Sequence, residues 1–230
     1  MLTFYCIGSQ KSGTTWLYHI LKQHPELALI EPKEVHYWDM YYSTKSIHWY
    51  KKHYTHPHLQ QGDFTPAYAI LPKDKIKECF SLFPDLKLIY IIRDPFDRMW
   101  SAVKAEIRKE NLNVSTLKPE FYFNFFERED TIQRSDYQTC IENWLSVYDQ
   151  NRLLVLDFKT LVAEPRAFIE KVQRFLGLSL APFSDETLHA KIYEGLDLKP
   201  DDEIQNYLQE KMGYLVNKYE LALKKYGATF

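Results

Sequence analysis

The sequence predicts an α/β fold in three layers, a central parallel sheet flanked by helices. Three observations carry this. The run Phe4-Tyr5-Cys6-Ile7-Gly8-Ser9-Gln10-Lys11-Ser12-Gly13-Thr14-Thr15-Trp16-Leu17 reads as strand, glycine-bounded turn and helix start. Leu86 to Ile92 is nearly all apolar, as a strand covered on both faces must be, and it delivers Arg93-Asp94-Pro95 at its end. Strand-like and helix-like stretches then alternate, which implies parallel neighbours joined by right-handed crossovers. The 230 residues show no repeat, low-complexity tract or linker, so one domain spanning 1–230 is expected.

Each element has its own signal. Thr3 to Ile7 is a short β-prone run. Trp16, Leu17, Ile20 and Leu21 then fall at helical spacing until His24-Pro25. Leu27 to Ile30 suits a second strand. Residues 40–61 read as loop with a short helix near Ser46 to Tyr54. Gly62 to Tyr68 reads as a turn feeding a helical turn. Lys73 to Phe83 is an amphipathic helix ended by Pro84-Asp85. Pro95 fits the first turn of a helix running to about Lys109. Residues 110–135 lack a period and read as a flap. Helices follow at Tyr137 to Tyr148 and Pro165 to Leu176, with a strand between them at Arg152 to Asp157. Gly177 caps the second of these. A last amphipathic helix, Asp201 to Tyr226, meets a candidate break at Gly213.

Composition narrows the partners. The chain is 45% hydrophobic and 26% charged, with a net charge of −2, which argues against a nucleic-acid or polyanion surface. Cys6, Cys79 and Cys140 lack paired or metal-ligand spacing and fit a reducing compartment. No apolar run reaches membrane-spanning length and no signal peptide is visible, so a cytoplasmic protein is expected.

A glycine-bounded loop opening a helix presents free N–H groups to an anion, most often phosphate. The spacing is close to that of an NTP-binding P-loop, but Thr14 stands where that motif needs lysine. The lysine sits inside the loop instead, at Lys11. Such a loop can hold one 5′-phosphate through its backbone, Thr14 and Thr15, with an ammonium over whatever that phosphate carries. Arg93 and Ser101 form a second candidate anion site, a planar fork and a hydroxyl on one strand–helix corner. Taken singly, Arg93 reads as well as a surface ion pair with Asp94 or Asp97.

Together these pieces resemble the PAPS-dependent sulfotransferases. Lys11-Ser12-Gly13-Thr14-Thr15-Trp16 looks like their 5′-phosphosulfate loop, and Ile92-Arg93-Asp94-Pro95 with Ser101 resembles their 3′-phosphate segment. The resemblance implies transfer of a sulfuryl group from 3′-phosphoadenosine-5′-phosphosulfate (PAPS) to a hydroxyl or amine, with adenosine 3′,5′-bisphosphate (PAP) as product and no metal. It implies donor contacts by Lys11, Ser12, Gly13, Thr14, Thr15, Arg93 and Ser101. Trp16 has two readings, an adenine stack or a core residue. Pro32-Lys33-Glu34-Val35-His36-Tyr37-Trp38 resembles the heparan-sulfate-type branch, which makes Glu34 the expected base and His36 the alternative. Asp63 stands where that branch has an acidic residue before a lysine; Phe64 replaces the lysine, leaving Asp63 to orient the acceptor or pair with Lys11. Lys191, in Lys191-Ile192-Tyr193-Glu194-Gly195, is a poor match to the family's basic loop over the 3′-phosphate. The acidic balance favours a small-molecule or short carbohydrate acceptor. Glu31, Glu34, Asp39 and Asp63 suggest a cationic one. Two rivals remain, a P-loop nucleotide or metabolite kinase and a non-catalytic nucleotide-binding protein.

Overall fold

A computed structural model describes residues 2–190 and 195–228. Five strands, β1 (Leu2–Gly8), β2 (Leu27–Leu29), β3 (Gln60–Phe64), β4 (Lys87–Ile92) and β5 (Leu153–Asp157), form one sheet in the order β2-β3-β1-β4-β5. Every pairing is parallel. The described helices are α1 (Thr14–Leu21), α2 (Ile47–Lys51), α3 (Lys73–Leu82), α4 (Pro95–Lys109), α5 (Pro119–Phe126), α6 (Glu129–Gln133), α7 (Tyr137–Leu145), α8 (Phe158–Ala163), α9 (Pro165–Leu176), α10 (Asp185–His189) and α11 (Asp202–Tyr226).

The period of two along each strand divides the core. Phe4, Cys6, Ile89, Ile91, Leu154 and Leu156 face one side, with α1, α8 and α9 packed over them. Tyr5, Ile7, Leu88, Tyr90, Ile92 and Val155 face the other, under α3, α7 and the aromatic segment 35–50. Leu88 to Ile92 are fully buried, each side chain contributing about 1.5–3 kcal/mol to burial. This is why β4 reads as an unbroken apolar run.

Three stretches differ from the sequence reading. Residues 60–64 are a strand, and a central one, although they spell Gln-Gln-Gly-Asp-Phe. Gly62 is required because a Cβ there would sit 2.1 Å from the Phe4 ring, which lies flat on the neighbouring backbone. Residues 110–135 are not a flap. Tyr122, Phe125 and Phe126 of α5 pack against Trp100, Val103 and Ile107 of α4 and Ile204, Leu208 and Met212 of α11. The last helix runs through Gly213 without a break.

Candidate active site

The loop between β1 and α1 owes its shape to two left-handed residues. Gly13 has φ 85°, and a Cβ there would meet Leu161 Cδ1 at 2.8 Å. Lys11 has φ 71°, a region few non-glycine residues visit, and its carbonyl accepts a 3.1 Å hydrogen bond from Arg93 Nη1. Gly13 offers α1 no side-chain cap, so the helix's first N–H groups remain for an anion. Ser12 is fully buried, its hydroxyl 2.6 Å from Ser9 Oγ. It braces the loop from inside, leaving only its backbone for a ligand.

Parallel pairing of β1 with β4 sets Arg93 beside this loop. A cleft of about 510 Å³ is lined by Lys11, Gly13, Thr14, Thr15 and Trp16 from one side and by Arg93, Ser101 and Arg108 from the other. The Arg93 guanidinium lies 4.6 Å from the Phe158 ring centre and 3.8 Å from Asp97. Past Arg93 and Ser101 the cleft continues into a hollow of about 420 Å³ that adds Lys104. Lys104 and Arg108 were missed in the sequence. Their signal was the spacing 101, 104, 108, one face of α4. Burial, then the neighbouring Arg108 and Arg93 charges, press the Lys11 ammonium below its usual range. Lys11, Arg93, Lys104 and Arg108, with Lys199 also lining the hollow, thus gather around one cleft, a field that anions relieve.

Trp16 is a core residue that also borders the cleft. It is 8% exposed, donates its indole N–H to Leu188 O at 3.0 Å and packs edge-on to Phe168, yet one face lines the cleft. Lys191 lies outside the described residues.

Glu34 marks the far end of the cleft. Its N–H bonds to Phe64 O at 3.1 Å, and its φ of 67° turns the side chain out of the strand direction. Burial pushes the Glu34 carboxyl up, but the His36 hydrogen bond and the adjacent Lys33 charge outweigh it and hold it at about 2. His36 lies 2.8 Å from Asp39 Oδ2 and 3.5 Å from Glu34 Oε2. Those two carboxylates raise it to about 9. The two carboxylates thus favour the imidazolium form of His36, which donates to Glu34. Glu34 also borders a groove of about 690 Å³ along α1, lined by Thr15, Tyr18, His19, Lys22 and the 31–34 segment.

Asp63 is not in the cleft. It is fully buried and accepts from Tyr50, Thr65 and Tyr68, so it neither pairs with Lys11 nor meets an acceptor. The other acidic residues are matched as well: Glu31 by Lys22, Glu34 by Lys33 and His36, Asp39 by His36. The acidic signal for a cationic acceptor therefore does not survive in the folded chain.

Fold and site define a P-loop-type α/β protein with cations gathered at both ends of one cleft and the loop lysine displaced from the NTP-binding position. The chain belongs to the sulfotransferase domain family, whose model matches residues 4–212. Among curated relatives, a mouse bifunctional heparan sulfate N-deacetylase/N-sulfotransferase 4 is 31% identical over 199 residues, covering 76% of this chain and 22% of that protein. The chain thus spans about a fifth of the length of that relative. A sulfotransferase from Alicyclobacillus acidocaldarius superposes with a TM-score of 0.76 at 17% identity, covering 97% of this chain and 96% of the other. A mouse sulfotransferase complexed with PAP superposes at 0.57 with 16% identity, covering 95% and 89%. Among the described residues no helix is long and apolar enough to cross a membrane.

Proposed function

We propose that this chain transfers a sulfuryl group from PAPS to a hydroxyl or amine of a small-molecule or carbohydrate acceptor by in-line displacement. The observation that carries this is the single cleft shared by the Lys11–Trp16 loop and by Arg93 and Ser101. A donor with one phosphate at each end of its ribose fits such a pair. ATP, which lacks a 3′-phosphate, leaves Arg93 and Ser101 without work.

In this reading the N–H groups of α1 and the Thr14 and Thr15 hydroxyls hold the 5′-phosphosulfate, and Arg93 with Ser101 holds the 3′-phosphate. Glu34, ionised at neutral pH, takes the acceptor's proton as its oxygen or nitrogen bonds to sulfur. The bond from sulfur to the bridging oxygen breaks, and PAP leaves with the electron pair. Lys11 neutralises that oxygen as charge develops on it. The acceptor enters along the groove beside α1, which meets the donor cleft at Thr15 and Glu34. The mouse relative's name supports placing N-unsubstituted glucosamine oligosaccharides in an acceptor panel beside simple phenols and alcohols. We further propose that residues 1–230 act as one domain, since one sheet carries both halves of the site. Three free, buried thiols support a cytoplasmic setting.

Thermal unfolding separates this reading from a kinase. PAP at about 100 times its Kd adds ~2.7 kcal/mol to the native state, which raises Tm by about 5–10 °C for a chain of this size. Mg·ATP at the same concentration is expected to leave Tm within about 1 °C. A larger shift with Mg·ATP than with PAP overturns the reading. Turnover of sulfur-35-labelled PAPS across the panel then separates an enzyme from a binder.

A further inference from the structure

Asp63 is a fully buried carboxylate that the proposed chemistry does not use, and its surroundings explain why it is there. A carboxylate away from water is costly unless its lone pairs are met. Three hydroxyls meet them: Tyr50 at 2.6 Å, Thr65 at 2.7 Å and Tyr68 at 3.2 Å. Burial pushes the Asp63 carboxyl up, and these three bonds offset that only in part.

Two of these hydroxyls lead to the segment that carries Glu34. Tyr68 Oη accepts the Tyr37 backbone N–H at 2.9 Å. Tyr50 Oη lies 2.9 Å from Tyr5 Oη, which accepts the Trp38 indole N–H at 3.0 Å. Proton counting limits what each hydroxyl in these chains can do. An indole and a backbone amide only donate, and each phenol has one proton. Trp38 donates to Tyr5, and the Tyr50 hydroxyl, within reach of both Tyr5 Oη at 2.9 Å and Asp63 Oδ2 at 2.6 Å, has one proton to give and lies closer to Asp63. Tyr37 donates to Tyr68, and Tyr68 to Asp63. The neighbouring Phe64 carbonyl takes the Glu34 N–H at 3.1 Å, so residues 63 and 64 tether residues 34, 37 and 38. That matters because Glu34 and His36 both hold left-handed backbone, at φ 67° and 54°. Such a backbone persists only where its surroundings over-determine it.

We propose that Asp63 is a positioning residue, the shared terminus of two tyrosine relays that hold Glu34 and His36 at the mouth of the cleft. It touches neither donor nor acceptor. This rests on Glu34 being the base.

The test uses Tyr50→Phe and Tyr68→Phe, each of which deletes one hydroxyl and leaves the ring packed, with Asp63→Asn as a third variant. Deuterium exchange of amides 34–41 needs no acceptor. It is expected to speed up about tenfold in each Tyr→Phe variant, while PAP affinity stays within about twofold. With labelled PAPS and the best acceptor of the panel, kcat is expected to fall about tenfold with KM for PAPS unchanged. Unchanged exchange in both Tyr→Phe variants, with wild-type kcat, overturns the relay. A loss of PAP binding matching the loss of kcat overturns it too, since that marks general damage to the fold. If Glu34→Gln retains turnover, the base assignment falls, while fast exchange in Tyr68→Phe still supports the tether. If Glu34→Gln is inactive and exchange is unchanged, the relay alone falls.

Discussion

Replacing Lys11 with alanine is expected to lower kcat by about 10²–10³-fold while PAP binds within about fivefold of wild type. The asymmetry follows from where the ammonium sits. In the proposed reading the 5′-phosphate is held mainly by the uncapped N–H groups of α1, which the substitution leaves alone. Negative charge on the bridging oxygen, in contrast, grows only as the bond to sulfur breaks. A cation already in place there stabilises the transition state more than the bound donor. Burial keeps Lys11 poorly solvated before the donor arrives, and the Arg108 and Arg93 charges add repulsion that an anion relieves. Lys11→Arg is a useful companion, because charge is kept while the compact ammonium is lost. Equal losses of kcat and PAP affinity in Lys11→Ala would contradict this role.

Glu34→Gln is expected to cost about 10²–10⁴-fold in kcat with a hydroxyl acceptor, which cannot shed its proton unaided at neutral pH. The amide keeps the shape and the contact with His36 while losing the basic oxygen. The Glu34–His36 pair also makes stability depend on pH. The Glu34 carboxyl is lowered from the usual 4.5 to about 2, so its contribution is present above 4.5 and is lost as pH falls toward 2. His36 is raised from 6.5 to about 9, so its contribution is complete below 6.5 and fades as pH rises toward 9. Wild-type Tm minus Glu34→Gln Tm should thus be largest between pH 4.5 and 6.5. A difference that keeps rising above pH 9 would contradict the pairing.

Much of this was legible in the chain. The strand at 87–92 and the helices at 95–109 and 165–176 follow from apolar runs and proline or glycine punctuation that tertiary context did not override. The two ends of the cleft were legible because glycine, lysine and arginine sat at strand ends, where parallel sheets open to ligands. Strand β3 was not, because Gln61 and Asp63 are buried polar residues and Gly62 carries no side chain. Their justification lies in partners far along the chain, Phe4 and the tyrosines 50 and 68, which no local pattern reveals. The same cause made Asp63 read as chemistry. Residues 119–126 read as a flap because aromatics cover most of the helix surface, and only packing between α4 and α11 absorbs them. Lys104 and Arg108 belong to no motif, and only the face of α4 that they share with Ser101 marks them.

The central claim is that one mononucleotide is held at both ends, and a binding cycle tests it most directly. PAP and adenosine 5′-monophosphate are titrated by calorimetry into wild type and Arg93→Ala. In wild type, loss of the 3′-phosphate is expected to weaken binding by about 10–100-fold, the worth of a charge-assisted pair. In Arg93→Ala that penalty should shrink to about threefold or less. An equal penalty in the two proteins would mean that the 3′-phosphate rests somewhere other than against Arg93, and the assignment of the cleft would be wrong.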